Sequence, residues 1–183
     1  MAPEDLKEYV FKLVLLGEAA VGKTSLINRY AEGSFSEDYK PTLGSNIIRK
    51  DVTLKDINAK IRLIVWDLAG QEKYNVIRSM YFQGCVGALL VYDVTRHNTF
   101  SEITNKWLSD FKKYVKDEGA YILIANKIDL EDQRIVPTEE GQHLANEINA
   151  CDYIETSAKY GDNVEQAFQN LVRQILRNYG EII

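Results

Sequence analysis

Short apolar, β-branched runs alternate along this chain with amphipathic segments of helical length. Such alternation is typical of βα units that assemble into a largely parallel sheet. The apolar runs predict six strands, namely Tyr9 to Leu16, Ile47 to Leu54, Lys60 to Leu68, Ala88 to Tyr92, Tyr121 to Ala125, and Tyr153-Ile154. The amphipathic segments predict five helices, namely Lys23 to Ala31, Tyr74 to Phe82, Phe100 to Lys116, Glu139 to Ile148, and Val164 to Tyr179.

Three helix starts carry polar signals. Thr99 with Glu102 matches a capping box, and Asp162 with Glu165 resembles one. Thr138 stands before two glutamates, whose charge suits the positive end of a helix. We therefore expect the last three helices to begin beside these residues.

The order of the elements predicts one α/β domain with a doubly wound sheet. Only Lys55 to Asn58 separates the second and third strands, which is too short for a helical crossover, so this pair is expected to be antiparallel. The predicted domain spans residues 9–179, with an N-terminal extension at 1–8 and a short tail at 180–183. Ligands in such sheets bind beyond the carboxyl ends of the strands, so the loops there are the places to look for chemistry.

The loop after the first strand has the pattern G-x-x-x-x-G-K-T. It consists of Gly17, Glu18, Ala19, Ala20, Val21, Gly22, Lys23 and Thr24, with Ser25 next. Glycines let the backbone wrap closely around a phosphate, the lysine neutralises β and γ oxygens, and the threonine hydroxyl suits Mg²⁺. An ordinary glycine-rich turn is the alternative, but the strand before and the helix after are the context that the phosphate-binding motif requires.

The loop after the third strand supplies candidate catalytic residues. Asp67 can hold Mg²⁺ through water, and the Gly70 N–H can reach a γ-phosphate. Gln71 is placed to orient an attacking water. With Lys23, Gly70 and Gln71 are the predicted catalytic residues.

Two further loops predict recognition of guanine. Asn126, Lys127 and Asp129 follow the fifth strand, and a carboxylate there can accept hydrogen bonds from N1–H and the amine of guanine, neither of which adenine offers. Lys127 has an apolar stem that can lie over a purine. The loop Ser157, Ala158 and Lys159 follows the sixth strand and can supply a backbone N–H to the guanine oxygen.

These four motifs, in this order, resemble those of the Ras superfamily of small GTPases over nearly the whole chain. The resemblance implies a single P-loop GTPase domain that binds GTP or GDP with Mg²⁺ and works as a two-state switch. In the segment that looks like the first switch, it implies Thr42 as second Mg²⁺ ligand, Phe35 against the base edge and Tyr39 over the phosphates. It also implies protein partners, namely an activating protein, an exchange factor and effectors.

Within the superfamily the chain is most similar to the Rab branch, which implies a role in membrane traffic or related signalling. The similar segments are Pro41 to Gly44, Ile64 to Asp67 and Leu90 to Thr95. Ile47, Trp66 and Tyr81 stand where that branch places an apolar effector-facing trio, although Trp66 and Tyr81 are open to a second interpretation as simple core residues. The insertion of Rho proteins and the myristoylated start of Arf proteins are absent from this sequence, whereas Ras proper stays open.

The expected reaction is slow hydrolysis of GTP. Tyr39 stands at the switch-one position from which α-subunit-like GTPases supply an arginine, so we expect about 10⁻⁴ to 10⁻³ turnovers per second without a partner. The main alternative is a GTP-binding scaffold with negligible hydrolysis, favoured by Ala19 where glycine or serine is usual. A P-loop kinase is disfavoured because no arginine-rich insertion is present to build a lid.

Charge and composition narrow the partners. The net charge of −5 and a pI near 5.2 argue against general nucleic-acid binding and a polybasic membrane patch. Cys85 and Cys151 fit neither a metal site nor a disulfide framework, which suits a reducing, cytoplasmic compartment. The sequence has no C-terminal cysteine to prenylate, so peripheral membrane association is left open. A monomer is expected.

Overall fold

The computed structural model describes residues 6–38, 40–42, 44–68, 78–115 and 119–181. Its strands are β1 (Lys7–Leu16), β2 (Ser45–Leu54), β3 (Ala59–Leu68), β4 (Cys85–Asp93), β5 (Ala120–Asn126) and β6 (Tyr153–Thr156). They form one sheet in the order β2-β3-β1-β4-β5-β6. β2 pairs with β3 antiparallel and every other neighbouring pair is parallel, so the predicted fold class is confirmed.

The described residues form six α-helices and one π-helical turn. The α-helices are α1 (Lys23–Glu32), α2 (Arg78–Phe82), α3 (His97–Glu102), α4 (Leu108–Tyr114), α5 (Thr138–Glu147) and α6 (Val164–Asn178), and the π turn is Ile103–Trp107. Because α3, the π turn and α4 follow one another without a gap, together they are the single long helix predicted from Phe100 to Lys116. The predicted helix start at Tyr74 and the end at Lys116 lie outside the described residues.

The predicted capping residues do not cap. α3 begins at His97, so Thr99 lies inside it, where its hydroxyl accepts from the Asp93 N–H at 3.0 Å and donates to the Arg96 carbonyl. At the start of α6 the N-cap position is Asn163 rather than Asp162, with no side-chain cap. The capping-box predictions were therefore wrong: the Thr99 hydroxyl is bonded to the backbone at the end of β4, and the cap position of α6 falls one residue after Asp162.

Both faces of the sheet are covered. Alternate residues of β1 point to opposite faces: Phe11, Leu13 and Leu15 enter a core with α1 and α6, whereas Val14 and Leu16 enter a core with α2 to α5. Cys85 is buried in the second core, where burial raises the pKa of its thiol to about 12.

The two ends of the described chain meet. β1 begins at Lys7, which pairs with Ala59 of β3, so the strand starts two residues before the predicted boundary. After α6, Glu181 accepts a hydrogen bond from Tyr9 Oη and forms an ion pair with Lys7 Nζ at 2.5 Å. The described helices include none that is both long and apolar enough to cross a membrane.

Candidate active site

The loop between β1 and α1 depends on two glycines. A Cβ at Gly17 would lie 2.1 Å from the Val91 carbonyl oxygen, and one at Gly22 would lie 2.3 Å from Asn126 Nδ2. Gly22 also has a φ of 97°, in the left-handed region that favours glycine. The loop can therefore pass this close to β4 and β5 only without side chains at these two positions.

Lys23 is buried in this loop. Its ammonium donates to the carbonyls of Gly17 at 2.7 Å and Glu18 at 2.9 Å, and the residue is only 6% exposed. Burial lowers the pKa of Lys23 to about 8, although the nearby carboxylates of Asp67 and Glu18 act in the opposite direction. A phosphate anion beside this ammonium would offset the cost of its burial, which suits the predicted role.

Three oxygen-bearing side chains meet at the start of α1. Thr24 Oγ1 lies 2.9 Å from Thr42 Oγ1 and donates to Asp67 Oδ2. Asp67 is fully buried, burial raises its pKa, and its Oδ1 has no hydrogen-bond partner among the residues described. An unsatisfied buried carboxylate oxygen beside two hydroxyls is a donor set that a hard cation satisfies.

The spacing of these hydroxyls fits Mg²⁺. Neighbouring ligands of an octahedral Mg²⁺, each about 2.0–2.1 Å from the ion, lie about 2.9 Å apart. This is the observed separation of Thr24 Oγ1 and Thr42 Oγ1. The residues present therefore suit this ion, and the role of Thr42 as its second ligand stays a prediction.

Asn126 joins the loops on the other side of the site. Its Nδ2 donates to the Val21 carbonyl at 2.9 Å, and its Oδ1 accepts from Thr156 Oγ1 at 3.0 Å and from the Ala158 N–H at 3.3 Å. The residue is buried, so these bonds are shielded from water. Asn126 is thus a structural link between the phosphate loop and the two base loops rather than an exposed donor.

Lys127 and Asp129 are held in different ways. Lys127 Nζ lies 2.7 Å from the buried Asp93 Oδ2, and the residue lines the cavity described below. Asp129 Oδ1 accepts from Ser157 Oγ at 2.6 Å. A carboxylate has further lone pairs, so Asp129 retains the capacity to accept from a base.

The predicted loops surround one cavity of about 570 Å³, a volume typical of small-molecule sites. The predicted residues that line it are Ala19, Ala20, Gly22, Lys23, Thr24, Ser25, Phe35, Thr42, Asn126, Lys127, Asp129, Ala158 and Lys159. Gly17, Glu18, Val21, Asp67 and Ser157, which were also predicted, are not among the lining residues. The Glu18 side chain turns away to Lys106 Nζ and Trp107 Nε1, each at 3.2 Å.

Some predicted residues cannot be placed, and some contributors were missed. Tyr39, Gly70 and Gln71 lie outside the described residues. Asp93 and Arg96 were not predicted as site residues, yet Arg96 donates to the Ala19 carbonyl at 2.9 Å and pairs with Asp93 at 3.1 Å. Their position at the end of β4, beside the two predicted loops, was the available signal.

The apolar trio lies on the opposite side of β3 from α1. Ile47 is 51% exposed and pairs with Trp66 across the β2–β3 ladder. The rings of Trp66 and Tyr81 lie 5.5 Å apart, and both residues are partly buried at the edge of the second core. Trp66 and Tyr81 therefore serve the core and also border an exposed apolar surface.

Comparison with known proteins agrees with this geometry. A model of the Ras family matches residues 12–177. Ras-related protein Rab-1 of Theileria annulata is 42% identical over 168 residues, covering 92% of this chain and 75% of that protein. GTP-binding protein ypt3 of Schizosaccharomyces pombe is 40% identical, and the match covers 97% of this chain and 81% of that protein. Human Ras-related protein Rab-3D is also 40% identical, over 95% of this chain and 78% of that protein. Given this match across sequence, fold and pocket, the chain belongs to the Ras family and is a small GTPase with Rab-like relatives.

Proposed function

We propose that the chain binds GTP and GDP with Mg²⁺ in the cavity described above and cycles between them as a Rab-like switch in membrane traffic. The observation that carries this proposal is the convergence on one cavity of a buried lysine, a Thr24–Thr42–Asp67 oxygen cluster and an Asp129 carboxylate. Binding of GTP requires three kinds of group: a positive charge for the phosphates, oxygen ligands for the bound cation, and a hydrogen-bond acceptor for the edge of the purine.

In the proposed reaction, water attacks the γ-phosphorus, the bond to the β–γ bridging oxygen breaks, and GDP and phosphate leave. Gln71 orients that water, while the Lys23 ammonium and the Gly70 N–H stabilise the charge that develops on phosphate oxygens. Thr24 and Thr42, with Asp67 through water, would hold Mg²⁺, which supplies positive charge at the β and γ oxygens when bound. No arginine is assigned to the reaction, so turnover is slow until a partner supplies one.

Guanine is selected by the two base loops. Asp129 accepts from N1–H and the exocyclic amine, and the Ser157–Lys159 loop donates to the 6-oxo group. Lys127, with its ammonium held by Asp93, keeps an apolar stem for one face of the purine. Adenine has neither donor, so the Asp129 lone pairs that face the base would be left unsatisfied, which gives strong discrimination in a polar site.

The surface around Ile47, Trp66 and Tyr81 is proposed as the effector-binding face. These side chains combine an exposed aliphatic group with two aromatic rings, the composition found at the centres of protein interfaces. GTP would order the two switches through Thr42 and Gly70, and hydrolysis would release them. An activating protein and an exchange factor would act at the same switches, at a membrane surface.

The first test is the identity and fate of the nucleotide. Purified protein is expected to release guanine nucleotide on denaturation and to convert GTP to GDP slowly in single turnover with Mg²⁺. Gln71→Leu should depress this rate at least tenfold without loss of GTP binding, whereas Gln174→Leu on α6, outside the cavity lining, should not. An unchanged rate in Gln71→Leu would contradict the assigned role, and bound ATP would contradict the assignment of the base loops.

A second function is favoured by one observation. Ala19 lines the cavity. If Gln71 or an incoming arginine approaches the γ-phosphate beside it, the Ala19 methyl group would crowd that side chain. If the protein binds guanine nucleotide but shows no conversion even with an activating protein, it is a scaffold whose state is set by nucleotide exchange.

A further inference from the structure

The Arg29 side chain, in the last turn of α1, bonds to the backbone at two separate places. Nε donates to the Ala158 carbonyl at 2.9 Å, Nη1 donates to the Gly33 carbonyl at 2.8 Å, and Nη2 donates to the Lys159 carbonyl. A guanidinium is a rigid planar fork, so these contacts fix the three carbonyls relative to one another. Arg29 therefore joins the end of the first helix to the loop that follows β6.

The two loop carbonyls determine where the neighbouring N–H groups point. A trans peptide is planar, so the Ala158 carbonyl and the Lys159 N–H lie in one plane and point in opposite directions. Ala158 and Lys159 line the cavity, whereas Arg29 lies behind them. With the Ala158 carbonyl held on Arg29, the Lys159 N–H points away from the guanidinium, toward the cavity side of the loop.

The rest of the loop supports this orientation. The Lys159 carbonyl is held by the same guanidinium, and the N–H of that next peptide, on Tyr160, donates to Ser157 Oγ at 3.1 Å. The Ala158 N–H donates to Asn126 Oδ1 over a long 3.3 Å, so a ligand oxygen can share this hydrogen in a bifurcated bond. The turn that Arg29 holds therefore presents two adjacent N–H donors, those of Ala158 and Lys159.

Arg29 also reaches the other wall of the base pocket. Its guanidinium carbon lies 6.0 Å from the ring centroid of Phe35, which lines the cavity. A Cβ at Gly161 would lie 3.4 Å from Arg29 Cδ, so the arginine stem fills the space under the loop. Arg29 therefore lies near Phe35 as well as on the Ala158–Lys159 backbone.

We propose that Arg29 is a positioning residue for recognition of the 6-oxo group of guanine. It does not touch the base and acts by holding the Ala158–Lys159 backbone so that its N–H groups meet that oxygen. This inference rests on the proposed binding of guanine nucleotide in this cavity. Lysine at position 29 would keep the charge and most of the stem, but one ammonium cannot hold three carbonyls in the geometry of the fork.

The test compares base analogues that differ at single atoms. Affinities of GDP, 6-thio-GDP and IDP are measured by competition against a fluorescent GDP, with reductant present, for the wild type, Arg29→Lys and Arg173→Lys. 6-thio-GDP replaces the 6-oxo oxygen with a weak acceptor, and IDP lacks the amine assigned to Asp129. Arg173 is the matched control because it lies on α6 and pairs with Asp56 at 2.7 Å, outside the cavity lining.

The wild type is expected to prefer GDP over both analogues. Arg29→Lys should lower the GDP to 6-thio-GDP affinity ratio about fivefold, the equivalent of one neutral hydrogen bond, and leave the GDP to IDP ratio unchanged. Arg173→Lys should change neither ratio. If Arg29→Lys fails to fold, the same two affinity ratios are measured for Arg29→Gln, with the same expected result.

Other outcomes overturn the inference. Equal falls in both ratios would mean that Arg29 supports the fold without positioning the 6-oxo donors, and no change in either ratio, or no wild-type preference over 6-thio-GDP, would remove the assigned role. A wild type that binds ADP as tightly as GDP would instead refute the proposed guanine specificity itself, whatever Arg29 does.

Discussion

Two residues in the nucleotide loops have backbone angles that their side chains disfavour. Ala20 has a φ of 61° and Lys127 a φ of 72°, in a region that costs a non-glycine residue about 1–2 kcal/mol. The other non-glycine residues with positive φ, within the described ranges, are asparagines, which adopt this region at lower cost. Ala20 and Lys127 both line the cavity, so this strain is concentrated where the surrounding contacts hold the loops ready for a ligand.

Asp129 carries a prediction about base choice. Asp129→Asn replaces an acceptor with an amide that can donate, which no longer matches the N1–H and amine of guanine but does match the 2-oxo group of xanthine. We expect the variant to bind xanthosine diphosphate more tightly than GDP, with a combined shift in preference of at least about a hundredfold, since two charge-assisted bonds are exchanged.

Competition binding with the two diphosphates measures this preference. Asp132→Asn is the control because Asp132 is exposed in the same segment and does not line the cavity. Retained preference for GDP in Asp129→Asn would show that another group selects the base.

Single residues at strand ends were the most predictable part of the site. Gly17, Gly22 and Lys23 could be assigned from sequence because their chemistry depends on local spacing between one strand and one helix. Arg96 could not, because its role requires the carbonyl of Ala19, which is brought close only by the pairing of β4 with β1. Pairings of this kind depend on tertiary structure and leave no periodic signal in the chain.

At the scale of elements, one carboxylate ties three segments together beneath the base loops. Glu155 of β6 accepts from Thr138 at the start of α5 at 2.8 Å, from Tyr153 Oη at 2.9 Å and from Arg134 at 3.0 Å. Arg134 follows the segment Ile128–Gln133 that carries Asp129. This network therefore fixes the two base loops relative to each other.

The network predicts a dependence of stability on pH. Burial raises the pKa of Glu155, but the hydrogen bonds from Thr138, Arg134 and Tyr153 outweigh it and hold that pKa below its ordinary value. A carboxyl group whose folded pKa is lowered contributes stability above its unfolded pKa of about 4.5, and this contribution is lost as the pH falls through the folded value. Glu155→Gln should therefore cost about 1–2 kcal/mol of unfolding free energy at pH 7, and less as the pH drops below about 4.5.

Urea unfolding with GDP and Mg²⁺ in excess, at pH 7 and at pH 4, measures this difference. Glu147→Gln, at the exposed end of α5, is the control. A penalty that is the same at both pH values would show that the charge of Glu155 contributes nothing.

The order of the strands and helices could be predicted better than the residues at which they begin and end. The six strands and the antiparallel pair follow from hydrophobic period and from the length of one turn. Thr99 and Asp162 misled because a capping pattern considers only neighbours in sequence, whereas Thr99 bonds to Asp93 at the end of β4. The π turn at Ile103–Trp107 could not be predicted from local sequence either. Its Trp107 donates to Glu18 in the loop after β1, a contact between residues far apart in the chain.

At the scale of the whole molecule, the proposed nucleotide cavity is lined by loops of several elements. A ligand that binds only the folded state stabilises it by mass action, by about 2.7 kcal/mol at a hundred times its dissociation constant. For a domain of this size, we expect GDP with Mg²⁺ at that level to raise the melting temperature by about 5–10 °C over nucleotide-free protein. ADP at the same concentration should give no shift.

Thermal unfolding followed by far-UV circular dichroism measures the effect, with EDTA and phosphatase used to remove the bound nucleotide. Equal shifts with ADP and GDP would contradict guanine selectivity. The absence of any shift would contradict nucleotide binding in the folded state.

The contact between Lys7 and Glu181 has a consequence for engineering. The ten residues of β1 rise about 3.3 Å each, so Lys7 lies about 30 Å from the phosphate loop, and the 2.5 Å ion pair places residue 181 beside it. Residues 7 and 181 therefore lie side by side, an arrangement that suits joining them in a circularly permuted variant. A short linker between residues 7 and 181 would close the polypeptide far from the nucleotide and free any exposed turn to carry the new ends, such as a pair of fluorophores that report on the switches.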